Sequence, residues 1–132
     1  MTNYLSRDEL LDLHLFALER WGGRLGIRSQ DKLLSALNAP QQAMFGSELY
    51  PDVADKVAVM CFQLLKHRPF VGGNEATTLL AALRFFALND VALEPAAVTA
   101  LAQALRQVQH SRLSRDGLAR LLRPYTPTPQ AR

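Results

Sequence analysis

The residues best placed to do chemistry are His67-Arg68-Pro69-Phe70-Val71-Gly72-Gly73-Asn74-Glu75-Ala76-Thr77-Thr78. Apolar periodicity before this stretch predicts a helix ending near Lys66, and a second helix opens at Asn74. A tight, glycine-bearing turn joins them. The first N–H groups of a helix have no partner within it and carry partial positive charge, so such a turn can hold a phosphate. On that reading Gly72, Gly73 and Asn74 are the candidate phosphate-binding residues. His67, at the end of the first of these helices, is the histidine nearest the turn. Plainer readings stand beside these. Gly73-Asn74 can be an ordinary loop end with an asparagine N-cap, and His67 can close a helix by facing its free carbonyls.

The other candidates carry less. His14 falls near the apolar stripe of the first helix and reads as a hydrogen-bonded structural histidine. His110 sits in a polar loop and reads as exposed. The three histidines and the single Cys61 show no metal-ligand spacing, so no metal site is expected from them. Thr77-Thr78 falls in the first turn of a helix, where packing explains it better than nucleophilic chemistry. Arg24 and Arg28 either flank the glycine turn or cover the surface.

The elements that must position these residues are helical. Ser6 and Glu9 form a capping box, followed by Leu10, Leu13, Phe16, Ala17 and Trp21 at helical spacing. All five are expected in the core, with Gly22-Gly23 ending the helix. Ser29 caps a short helix bearing Leu33, Leu34 and Leu37. Gln41 to Tyr50 has no clear period and reads as a loop or flap, with Met44, Phe45 and Tyr50 free to dock on something apolar. Pro51 suits the first position of the central helix, whose Val57, Met60, Cys61, Leu64 and Leu65 form the main core face. Asn74 to Leu88 is a second apolar helix, Pro95 opens another, and Ser114 caps a last short one. The fold class is therefore all-α, a compact bundle of about six or seven helices in one domain over residues 1–123. The proline-punctuated stretch 124–132 is expected to be a disordered tail.

Composition narrows the function classes. The chain has 132 residues, 48% hydrophobic, which suffices for one core. Its net charge of +3 comes from scattered arginines, so nucleic-acid binding is not expected. A lone thiol in an apolar run fits a reducing cytoplasm. Arg7, Asp8 and Glu9 interrupt the N-terminus before a signal sequence could form, and no run is apolar enough to span a bilayer.

Four ordered blocks carry a family resemblance. They are Tyr4-Leu5-Ser6 with Leu13-His14; Gly22-Gly23 and Gly26-Ile27-Arg28 through Leu33-Leu34-Ser35-Ala36-Leu37 and Pro40; Phe45-Gly46 through Leu49-Tyr50-Pro51 and Ala54-Asp55-Lys56; and Pro69-Phe70-Val71, Gly73-Asn74 and Thr77 into Ala81-Ala82-Leu83. Together the chain resembles the death-on-curing (Doc) branch of the Fic/Doc (Fido) family. That resemblance implies a compact helical bundle with ATP and Mg²⁺ as cofactors in active members. A loop histidine would act as general base, an acidic residue would hold the metal, and the Gly–Asn helix start and following basic residues would bind phosphate. It further implies transfer of a phosphoryl group to a hydroxyl on a translation-machinery protein, or of AMP in other branches, with a small antitoxin as partner.

This sequence departs from that pattern at the charged positions. Aligned on Pro69-Phe70 and Gly73-Asn74 without a gap, the general-base position falls on Arg68, which stays protonated and cannot accept a proton. The metal-carboxylate position becomes Gly72, and the basic positions become Glu75 and Ala76. Phosphoryl transfer depends on charge neutralisation, so these losses point to a catalytically impaired protein that acts through protein binding. The alternative is an active, divergent phosphotransferase or AMP-transferase using His67.

Overall fold

The computed structural model describes residues 1–126. Six helices run in chain order: α1 (Arg7–Trp21), α2 (Gln30–Asn38), α3 (Val53–His67), α4 (Asn74–Leu88), α5 (Pro95–Gln109) and α6 (Arg115–Leu122). Between α2 and α3 stands a short antiparallel hairpin, β1 (Ala43–Met44) and β2 (Ser47–Glu48), paired Ala43 to Glu48 and Met44 to Ser47. The all-α bundle expected from periodicity is what forms.

Helix α3 is the axis of the bundle and packs against α2, α4, α5 and α6, while α1 lies on α4. Its sequence explains this. Ala54, Val57, Ala58, Val59, Met60, Cys61, Leu64 and Leu65 are all buried, so the helix is apolar almost all round and must be enclosed. Burial pushes the Cys61 thiol up to about 12, which leaves it a protonated, inert filler. The helix starts two residues later than Pro51, with Asp52 in the extended N-cap position. Among the described residues no helix is long and apolar enough to cross a membrane.

The structure corrects one expectation. Helix α1 buries Leu10, His14 and Ala17, whereas Phe16 is 48% and Trp21 58% exposed. At about 100° per residue Phe16 points well away from the line through Leu10, His14 and Ala17. Trp21 lies near that line but is the last helical residue and borders an open cleft beside the first turns of α4. Arg123–Tyr125 form a 3₁₀ turn, with Arg123 paired to Asp55 at 2.8 Å. The rest of the expected tail, from Pro127, lies outside the described residues.

Candidate functional site: the α3–α4 turn and its cover

Helix α3 ends at His67. Arg68 follows in the left-handed conformation (φ 46°, ψ 66°), its N–H reaching the Leu64 carbonyl as a helix cap. Pro69 and Phe70 turn inward, Phe70 to 1% exposure, which anchors the loop. Gly73, at φ 71°, takes the N-cap position in place of the asparagine. Asn74 is the first helical residue and is buried. Its side chain points back across the turn, Oδ1 accepting from the Phe70 N–H (3.0 Å) and Nδ2 donating to the Phe70 carbonyl (2.9 Å). That amide is a staple across the loop. The backbone N–H groups at the start of α4 receive no side-chain cap.

The segment joining α1 to α2 lies directly over this turn. The N–H groups of Arg28 and Ser29 both donate to the Pro69 carbonyl (2.7 and 3.1 Å), and the Val71 N–H donates to the Gly26 carbonyl (2.9 Å). Ile27 and Phe70 form an antiparallel bridge. Arg24 and Arg28 therefore flank the loop through their main chains. The contact is closest at Gly72: a Cβ there would sit 2.7 Å from the Arg24 nitrogen and 3.1 Å from its carbonyl oxygen. A Cβ on Gly23 would sit 3.5 Å from the Gly73 nitrogen.

That geometry tests whether the site suits Mg²⁺ and a nucleotide. The position that would carry the metal carboxylate holds glycine and has no room for a Cβ. Glu75 turns its carboxylate to Arg106 (3.4 Å). Among the described residues no cluster of three His, Cys, Asp or Glu side chains is placed to hold a metal. At the turn, residue 72 therefore supplies no carboxylate to a metal.

The candidate catalytic residues lie elsewhere. His67 is exposed and lines a polar recess of about 510 Å³ with Asp31, Ser35, Asn38, Gln42 and Gln63, none of which belongs to the turn. Arg68 is exposed and makes no ion pair among the described residues. Its one visible role is the left-handed cap, a conformation in which a side chain costs energy that glycine does not. Arg68→Gly should accordingly raise stability by about 0.5–1 kcal/mol, read from the urea midpoint at unchanged slope.

The histidine that does touch the turn is His14. Its ring is 2% exposed and stacks on Phe70 at 3.9 Å between centroids, 13° from parallel. Nδ1 shares a hydrogen bond with the Thr77 hydroxyl at 3.1 Å, and Nε2 is buried without a partner. Burial holds its pKa below the ordinary value. It is the structural histidine that the sequence suggests, and its partners come from both sides of the turn.

Sequence reasoning missed a cleft beside the turn. Trp21, Ala76, Leu79, Ala102 and Leu105 wall a space of about 270 Å³, with the Glu75–Arg106 pair at its rim. A tryptophan at a helix end followed by Gly22-Gly23 was the available signal, because the chain turns away before it can cover the ring.

Comparison with known proteins agrees with this architecture. The model of the Fic/DOC family matches residues 4–86. A protein named Toxin Doc from Mycolicibacterium smegmatis is 34% identical over 93 residues, covering 70% of this chain and 69% of the relative. The matched span includes the stapled turn, its glycine-rich cover and the hairpin, and on this evidence the chain belongs to the Fic/DOC family.

Proposed function

We propose that this chain is a catalytically impaired Doc-type protein that works by binding another protein, most naturally a small antitoxin. One observation carries the reading. Gly72 lies against the Arg24 main chain, 2.7 Å from where a Cβ would be, so the metal-holding acid is both missing and sterically excluded. The substitutions nearby run in the same direction. Ala76 and Leu79 give the first turns of α4 an apolar surface, continuous with half-exposed Trp21. Such a surface favours an apolar protein segment over a polyphosphate.

The test is the thermal unfolding of the chain with millimolar Mg-ATP. A ligand present at a hundredfold excess over its Kd stabilises by about 2.7 kcal/mol, a shift of roughly 10 °C for a domain of this size. The expected shift is below about 1 °C. A shift near the full value would overturn the reading in favour of an active phosphotransferase or AMP-transferase acting on a protein hydroxyl. Binding of a small antitoxin polypeptide should, by contrast, raise the melting temperature and change the fluorescence of Trp21, the sole tryptophan.

A further inference from the structure

Lys56 lies early in α3, and its side chain has no exposed surface. An ammonium survives burial only where acceptors replace its water. It has three N–H donors, and three acceptors meet them: the Tyr50 carbonyl at 2.5 Å, Glu48 Oε1 at 2.7 Å and the Pro40 carbonyl at 3.2 Å. The Tyr4 ring lies 5.6 Å away, close enough for a cation–π contact. These acceptors are not scattered. Pro40 precedes the hairpin, Tyr50 follows it, and Glu48 sits on β2, so one cation grips the neck of the whole excursion.

Little else holds the hairpin. It has two residue pairs plus the Leu49 N–H to Gln42 carbonyl bond at 2.9 Å, and a ribbon this short is not stable alone in water. Residues 41–49 are all exposed, Phe45 to 98%, so apolar burial does not fix it. The second tether is Arg115, which donates to the Tyr50 hydroxyl (3.2 Å) and lies 5.4 Å from its ring. Arg115 is itself 44% exposed, and such surface contacts contribute little.

We propose that Lys56 is the positioning residue of the hairpin, a buried clasp that decides where Met44 and Phe45 stand relative to the bundle. This holds whether or not the chain is catalytic. The measurement is amide exchange by NMR on the full chain, with thermolysin cleavage at Met44–Phe45 as a second readout. Lys56→Met should speed exchange of the Leu49 amide and cleavage at the tip by about tenfold, while amides of Val57 to Leu65 keep their protection. Should that variant fail to fold, Glu48→Gln decides: it removes only the carboxylate of the clasp and should speed both by about threefold. Arg115→Ala should change them by less than about twofold. An unchanged hairpin in Glu48→Gln, an equal loss of protection in α3 and hairpin in Lys56→Met, or a larger effect from Arg115→Ala than from Lys56→Met would overturn the assignment.

Discussion

Gly72→Asp should lower the melting temperature by roughly 10 °C, equivalent to about 3 kcal/mol, and should yield no measurable Mg²⁺ or Mg-ATP binding. The effect is steric before it is electrostatic. A Cβ at residue 72 meets the Arg24 nitrogen at 2.7 Å, a distance that real contacts do not reach, and the obstacle is main chain. That main chain cannot easily retreat. Val71 is bonded to the Gly26 carbonyl, and Gly23 presses against the Leu18 side chain, where even a Cβ would come within 2.9 Å. Gly72→Ala, with the same Cβ and no charge, should therefore account for most of the loss. Gly46→Ala supplies the comparison: it has positive φ but open space around it, so only the conformational cost of about 1 kcal/mol applies. Adding the lost base changes nothing, and Arg68→His with Gly72→Asp should be less stable than Arg68→His alone and still fail to bind Mg-ATP by calorimetry. A double variant of wild-type stability that binds Mg-ATP would show that the cover over the turn yields and that only side-chain chemistry had been lost.

The close approach of Arg24 to Gly72 marks where sequence ceased to be informative. Helix α3 could be read from Val57, Met60, Cys61, Leu64 and Leu65, because a face apolar at every turn has only the interior to go to. The capping boundary at Ser6 and Glu9 could be read because both partners are local and both bonds form (3.1 and 3.2 Å). The departures from the family pattern at Arg68, Gly72, Glu75 and Ala76 were visible as residue types. What occupies the space above Gly72 was not, since Arg24 is distant in sequence and acts through backbone atoms that carry no side-chain signature. Asn74 misled for a related reason: the residue type suits an N-cap, but Gly73 adopts the required backbone and frees the amide to reach Phe70. Trp21 and Phe16 show the limit of periodicity, which gives the direction of a side chain without saying whether a neighbour is there to meet it. Lys56 is the converse, a residue type expected at the surface, drawn inside because carbonyls distant from one another converge on it.

His14→Ala should destabilise the chain by about 3 kcal/mol, since it empties a buried site against Phe70 and leaves the Thr77 hydroxyl without its partner. A different substitution isolates the role of the ring nitrogens. In the folded chain burial lowers the His14 pKa from 6.5, so the native state resists protonation while the unfolded chain accepts it near that value. Between the two pKa values the unfolded state binds more protons, so stability rises with pH. The contribution is fully present above about pH 6.5 and is lost as pH falls below it toward the folded value, at up to about 1.4 kcal/mol per unit. The neutral ring has one N–H, and only Nδ1 has a partner, so Nε2 is buried unmatched in either tautomer. Adding a proton would place a charge beside that unmatched atom with no carboxylate bonded to it. His14→Phe keeps the stack on Phe70 and removes the titration. Urea unfolding at pH 7.5 and 5.5 should show the variant less stable at the higher pH and the gap narrowing at the lower. A gap that widens on acidification would mean that protonated His14 is favoured in the fold, and that the turn is held by charge instead of by a buried neutral ring.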